Sequence, residues 1–319
     1  MNLNNNLISL SGDASFRKFY RNKKKKNSII VFANKEKKNN LLVYDAVNKI
    51  LKKNNIKAPK LIKEHYKENF IEIEDLGNKT IYDVLKNNKN KISYYYKILI
   101  ILKKLQKIKD KKVKTFNKKN YFVPKYTKKK LFEEAKLFLD WYIPKKVSKK
   151  KQILLKKKLK NIILNLINNL QIKNKIFVHR DFHISNMMLY KKNIYLLDSQ
   201  DAVYGNIAYD LASLIDDVRF KTTLEEKKKI FKKYISINKL FETTKLQNDF
   251  EILSVLRNIK IIGIFTRLSI RDKKKKYLKL IPRAWNLIEL RIDKNNKFKE
   301  LKYILDKFFP KKIRNKYEN

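Results

Sequence analysis

The side chains with the most chemical potential in this chain lie between positions 179 and 198. The stretch His179-Arg180-Asp181-Phe182-His183-Ile184-Ser185-Asn186 is followed by Leu197-Asp198 at the end of a strand-like run. An Asp, an Asn five residues on and a second Asp twelve residues further can be gathered at one mouth by a two-stranded turn. Phosphoryl transfer from ATP needs little covalent chemistry from a protein. It needs a carboxylate to orient and deprotonate the attacking hydroxyl, and hard oxygen ligands for Mg²⁺. Asp181 suits the first role, and Asn186 and Asp198 suit the second. His183 is expected to organise the loop, and His179 to be buried and hydrogen-bonded.

The elements that must position these residues follow from local pattern. Residues 16–21 and 28–33 read as short strands joined by a lysine-rich turn, and 40–53 as a helix with Leu42, Val43, Ala46, Val47, Ile50 and Leu51 at helical spacing. Residues 60–65 and 69–74 read as a hairpin. After Gly77 the texture becomes helical. Thr80 is a plausible N-cap for 81–87 and Ser93 opens 94–108. A helix over 127–142 stops before Pro144, and 151–171 carries a stripe of Leu155, Leu159, Ile162, Leu166 and Leu170. A β-rich patch over 176–198 holds the chemistry, with a turn at Lys192-Asn193, and everything after 207 reads as helix. The expected fold class is α+β. A small β-rich lobe (1–75), a hinge near 74–77 and a large helical lobe (76–319) make up the expected organisation.

Composition excludes much. The chain has 319 residues and no cysteine, which removes disulfides, thiolate zinc sites and cysteine nucleophiles. Its 79 Lys+Arg against 30 Asp+Glu leave a formal charge of +49, which taken alone points to a polyanionic partner. The excess is nearly all lysine, only ten being arginine, and it is spread evenly among Asn, Ile, Tyr and Phe. That is the mark of AT-rich codons, so no specific nucleic acid or membrane partner is expected. With only four glycines, Gly12, Gly77, Gly205 and Gly263, each is expected where a side chain would not fit. No leader-like start and no run of 18 uncharged apolar residues is present, so a cytoplasmic protein is expected.

The motif HRDFHISN, followed by LLDSQDAVYGNIAYDLASLIDD, resembles the aminoglycoside phosphotransferase-like kinases. Gly12-Asp13-Ala14-Ser15-Phe16-Arg17, Glu74-Asp75-Leu76-Gly77, Gln200-Asp201-Ala202 and Gly263-Ile264-Phe265-Thr266-Arg267-Leu268 bring the likeness closest to the anomeric kinases of N-acetylmuramate and N-acetylglucosamine in cell-wall recycling. The resemblance spans roughly residues 7 to 285. It implies a bilobal protein-kinase-like fold, with ATP and Mg²⁺ as cofactors. It makes 11–17 a phosphate-covering loop (Gly12, Asp13, Ser15, Arg17) and 72–77 a hinge for adenine (Glu74, Leu76). Two departures stand out. Ser199 replaces a bulky aromatic after the metal-ligand Asp, which predicts looser packing there. No lysine lies in 28–33, so Arg17 is expected to cover the phosphates instead.

On the substrate side, Glu134 and Trp141 share one helix face, and Asp201 lies three residues past a metal ligand; these three are candidate sugar contacts. Arg257, Lys260, Arg267 and Arg271 lie near one face of a helix. They read as an anion site, with Arg267 and Arg271 as candidate readers of a sugar carboxylate, or as salt-bridge partners of Asp210, Asp216 or Asp217. Asp210 is expected to brace the catalytic loop. The expected protein is a monomeric sugar 1-kinase acting on a small amino sugar. The alternatives are a kinase of the same fold for an aminoglycoside, choline or homoserine, and an inactive kinase fold that binds nucleic acid.

Overall fold

In the computed structural model the described residues are 7–10, 17–22, 28–88, 90–239, 241–293 and 295–315. Chain contacts divide it into two compact units, one of residues 1–124 and 176–204, the other of 125–175 and 205–319.

The first unit is built on a five-stranded antiparallel sheet in the order β1-β2-β3-β5-β4: β1 Leu7–Leu10, β2 Lys18–Asn22, β3 Ser28–Phe32, β4 Leu61–His65 and β5 Phe70–Glu74. Helix α1 (Asn39–Lys53) buries Leu41 and Tyr44 in a core with Val31, Ala33, Ile71 and Ile73. Six such side chains taken from water outweigh the modest helix propensity of a segment with three asparagines. Gly77, in the hinge, has φ +76°, a left-handed conformation that strains other residues. Thr80 then caps α2 (Ile81–Lys86) through a capping box with Asp83, and α3 (Lys91–Gln106) follows with Asn90 rather than Ser93 at its cap. A hairpin of β6 (Lys112–Lys114) and β7 (Asn120–Phe122) comes next. Its strands are too short and too lysine-rich to announce themselves by alternation.

The chemical segment also belongs to this unit. Strand β8 (Ile176–Val178) leads into the 179–186 loop, and β9 (Met187–Tyr190) pairs antiparallel with β10 (Asn193–Leu196). Lys191 and Lys192 turn the hairpin with positive φ. The hairpin is tied to its surroundings by Leu189 N–H to Lys79 O (2.8 Å) and Leu196 N–H to Lys57 O (2.9 Å). Strand β11 (Val203–Gly205) pairs with β8.

The second unit is helical: α4 (Lys128–Leu137), α5 (Ile143–Lys146), α6 (Lys149–Asn168), α7 (Ala208–Ile215), α8 (Leu224–Ile237), α9 (Thr243–Arg271), α10 (Ile281–Ile292), α11 (Lys299–Phe308) and α12 (Lys311–Arg314). The helix expected to end before Pro144 does not end there. It passes through a π-helical turn, Phe138–Tyr142, into α5, where Pro144 takes a first-turn position. Proline lacks only an N–H that a first turn would leave unpaired anyway. The reason for the π turn lies across the interface. A Cβ on Gly263 would meet the Leu137 carbonyl carbon at 2.3 Å, so α9 crosses α4 backbone to backbone. Phe138, Tyr142, Trp285 and Phe309 fill the space beside that crossing, and the Trp285 indole donates to the Tyr142 hydroxyl at 3.1 Å. Among the described residues, no helix is long and apolar enough to cross a membrane.

Candidate active site

Between the sheet and the β9–β10 hairpin of the first unit lies a cavity of about 330 Å³. Phe19, Ile29, Leu76 and Met188 give it apolar walls, and Glu74 of the hinge stands at its edge. Asn186 and Asp198 line the same cavity. An apolar slot with a few polar groups at one end is the usual form of a site for a flat, polar-tipped ligand. Leu76 is buried, and Glu74 exchanges bonds with Lys60, N–H to O at 2.9 Å and Oε2 from N–H at 3.3 Å. Gly12, Asp13 and Ser15 lie outside the described residues.

The 179–186 loop is held by its own backbone. Arg180 takes φ 73°, and its guanidinium reaches the Asp201 carbonyl at 3.2 Å. The Asn186 side-chain amide donates to the Asp181 carbonyl (3.1 Å) and meets His183 Nε2 at 3.3 Å. His183 is buried, as a loop organiser should be. His179 is buried as well, and burial pulls its pKa down to about 4 against the opposing pull of Asp181, the Leu197 backbone and Asp201. It is therefore a neutral imidazole at ordinary pH. The Asp181 carboxylate is half-buried and makes no hydrogen bond or ion pair among the described residues. With the Asn186 donor group engaged, its Oδ1 is the atom left to accept.

Asp198 stands in the left-handed region, φ 56° and ψ 39°, an uncommon conformation that aspartate tolerates better than most side chains. Three ties hold it there. Arg17 Nη2 donates to Asp198 Oδ1 at 2.7 Å, and Arg17 Nη1 to Gln200 Oε1 at 3.0 Å. The Ser199 hydroxyl donates to Asn48 Oδ1 of α1 at 2.6 Å. Burial raises the Asp198 pKa, and Arg17 opposes that rise. Arg17 is itself buried and flanked by the rings of Phe19 and Tyr44, and burial pushes the Tyr44 hydroxyl up to about 12. In this structure its guanidinium pairs with Asp198 and Gln200. The expectation of looser packing after Asp198 is overturned, since Ser199 is fully buried and hydrogen-bonded. A small hydroxyl lets α1 approach closely enough to take over the aromatic's bracing task.

Asp201 is exposed and bonded to Gln200 and Arg180. The remaining predicted residues belong to the second unit. Glu134 is bonded to Lys260 Nζ at 2.8 Å and to the Tyr126 hydroxyl, and Lys260 also reaches the Tyr209 hydroxyl at 3.2 Å. Trp141 is half-buried in the π turn, and Asp210 is buried in the first turn of α7. The basic stripe divides: Arg271 is exposed and paired with Asp272 at 2.8 Å, Arg267 is half-buried, and Arg257 is buried. Burial and the Arg271 charge lower the Arg267 pKa. Two of the acids offered as its partners are taken, Asp216 by Lys227 and Arg291 and Asp217 by Arg219.

Sequence reasoning missed Asn48, Gln200 as the second anchor of Arg17, and Trp285. The trace of the first was a polar residue at position 48, at helical spacing from Tyr44 and Leu51 on the buried face of α1.

The model of the phosphotransferase enzyme family matches residues 6–243. A curated protein of Pseudomonas aeruginosa named N-acetylmuramate/N-acetylglucosamine kinase is 28% identical over 307 residues, 94% of this chain and 87% of its own. The crystal structure of ADP-bound aminoglycoside phosphotransferase APH(2'')-Ib superposes with TM-score 0.60 at 15% identity, over 89% of this chain and 92% of that one. That of a choline/ethanolamine kinase family protein from Mesorhizobium loti gives 0.65 at 9% identity, over 95% and 93%. These last two establish the kinase-like fold, and the match over three quarters of the sequence establishes kinship: the chain belongs to the phosphotransferase enzyme family.

Proposed function

We propose that this protein transfers the γ-phosphoryl group of ATP to the anomeric C1 hydroxyl of N-acetylmuramate, N-acetylglucosamine or both. The observation that supports the reading is Asn186 and Asp198 lining an apolar slot, with Asn186 bonded to the Asp181 carbonyl, in a chain similar over nearly its whole length to a curated kinase of those two sugars.

In this reading the base of ATP lies in the slot against Phe19, Ile29, Leu76 and Met188, with the hinge backbone at 72–77 alongside and residues 11–17 over the phosphates. Asn186 Oδ1 and the free oxygen of Asp198 are the hard donors that fit Mg²⁺, which commonly takes one or two protein oxygens and completes its shell with phosphate and water. When bound, the ion neutralises charge on the β- and γ-phosphates. Asp181, with its carboxylate uncommitted, accepts the hydroxyl proton and aims the oxygen in line with the γ-phosphorus. An anomeric hydroxyl is more acidic than an ordinary alcohol because the ring oxygen withdraws charge. Positioning therefore outweighs basicity.

His179 and His183 keep the loop in shape and Asp201 contacts the sugar, while Glu134, Trp141, Arg267 and Arg271 are the groups of the second unit whose chemistry suits sugar hydroxyls and anions. The boundary at 75–76 separates the nucleotide-covering part from the substrate-handling part. In this reading the enzyme works in the cytoplasm, where ATP is supplied, and works as a monomer. The test is a kinase assay on a panel of amino sugars, aminoglycosides and choline, with products read by phosphorus NMR. A sugar 1-phosphate is expected. A 6-phosphate, or turnover of choline or an aminoglycoside alone, would overturn the assignment.

A further inference from the structure

One arginine grips the hinge. Arg21 of β2 pairs across the sheet with Ile29 of β3, a wall of the slot, so it stands on the sheet face that carries the slot. Its guanidinium holds the Asp75 carboxylate side-on, Nε to Oδ2 at 2.5 Å and Nη2 to Oδ1 at 2.9 Å. Nη2 also donates to the Gly77 carbonyl at 3.1 Å, and the Gly77 N–H closes on Asp75 Oδ1 at 2.8 Å. The Arg21 and Asp75 side chains are only 22% and 11% exposed, so this forked pair is sheltered from the screening that weakens surface ion pairs. Both backbone groups of Gly77 are engaged in the clamp.

From the end of β5 onward, alternate residues, Glu74, Leu76, Asn78 and Thr80, line the slot, while Asp75, Gly77 and Lys79 do not. A further bond of the clamp reaches this inner row: Asn78 Oδ1 accepts from Arg21 Nη1 at 2.7 Å. A guanidinium has donors and no acceptor, so the bond fixes which end of the amide faces Arg21. The Nδ2 donors are left over. They make no hydrogen bond among the described residues, and Asn78 is exposed at the rim of the slot. Asn78 stands between Leu76, a wall for the base, and Thr80, which bridges to Met188, two residues past Asn186. A nucleotide with its base on the apolar walls and its phosphates towards Asn186 and Asp198 carries its ribose between those two ends.

We propose that the Asn78 amide donates to a ribose hydroxyl of the bound nucleotide, and that Arg21 is the positioning residue that keeps this donor turned to the slot. This rests on the ATP reading above.

The test is calorimetric titration of ADP, 2'-deoxyADP and 3'-deoxyADP with Mg²⁺ into wild type, Asn78→Ala, Arg21→Met and Arg21→Lys, with a melting curve for each. Wild type is expected to bind one deoxy analogue about 3- to 10-fold more weakly than ADP, the worth of one neutral hydrogen bond. Which analogue it is names the hydroxyl. In Asn78→Ala that discrimination should vanish with the melting temperature unchanged, since the side chain is exposed. In Arg21→Met it should shrink, because the released amide turns either end to the slot. Arg21→Lys keeps a cation beside Asp75 but lacks the planar fork, so it should recover melting temperature and not the discrimination. A wild type that binds all three nucleotides alike overturns the proposal, as does a discrimination that persists in Asn78→Ala. Equal weakening of all three in Arg21→Met, with the discrimination kept, makes the clamp a purely structural one and removes Arg21 from the proposal. Wild type that binds neither ADP nor ATP sinks the nucleotide reading itself, a result distinct from tight binding that ignores the ribose.

Discussion

The Ser199 hydroxyl donates to Asn48 Oδ1 at 2.6 Å, in a fully buried contact between residues 151 positions apart. Asn48 in turn donates to the Pro59 carbonyl at 3.3 Å. Helix α1 is thereby fastened to the turn that carries Asp198, while Arg17 fastens β2 to it from the other side. Partners that orient a metal ligand matter nearly as much as the ligand, and their loss typically costs about 10–100-fold in metal affinity.

Ser199→Ala is accordingly expected to raise the Mg²⁺ concentration for half-maximal activity by about 10-fold. Nucleotide affinity in EDTA should not change. Mn²⁺ binding followed by electron paramagnetic resonance, with a non-hydrolysable ATP analogue present, measures the effect directly. Wild-type Mn²⁺ affinity in the mutant would show that the α1 tie does not orient the ligand.

Asp181→Asn keeps the size and the loop geometry but removes the proton acceptor. Turnover should drop by about 10²–10⁴-fold, while ATP affinity stays within a factor of about two, less than half a kcal/mol. Single-turnover kinetics with radiolabelled ATP separates the chemical step from product release. A mutant that keeps a third of wild-type turnover with chemistry rate-limiting would remove Asp181 from the reaction.

His179 gives the fold a pH dependence of known sign. Its pKa falls from 6.5 in the unfolded chain to about 4 in the buried site, so the unfolded state takes up the proton first as pH drops. The stability it supplies is fully present above pH 6.5 and is lost progressively as pH falls towards 4, in total on the order of 3 kcal/mol. Urea unfolding across that range should show a decline that flattens in His179→Gln. An equal slope in the mutant would assign the decline to other groups.

Gly263→Ala pits two effects against each other. Alanine is worth about 1 kcal/mol over glycine inside a helix, but its methyl would lie 2.3 Å from the Leu137 carbonyl carbon, and backbone cannot swing aside as a side chain can. Overpacking of this kind costs about 1–3 kcal/mol, so a net loss is expected, seen as a lower melting temperature. A stabilised mutant would mean that α4 and α9 can separate at no cost.

What the sequence determined by itself is local. Asp181, Asn186 and Asp198 lie within eighteen residues of one another, so their spacing alone pointed to the proposed chemistry, and the Thr80 cap was legible because a capping box is written in four consecutive residues. The β-rich opening and the helical remainder also followed from periodicity. Only the tertiary structure decided what holds Asp198. Arg17 and Gln200 are 183 residues apart, and Ser199 and Asn48 are 151 apart, and such pairs leave no periodic trace because each partner is an ordinary polar residue until distant elements pack. The π turn before Pro144 has the same origin, a close backbone crossing at Gly263. Local hydrogen bonds are dictated by neighbours in the chain, whereas long-range ones are dictated by which faces meet.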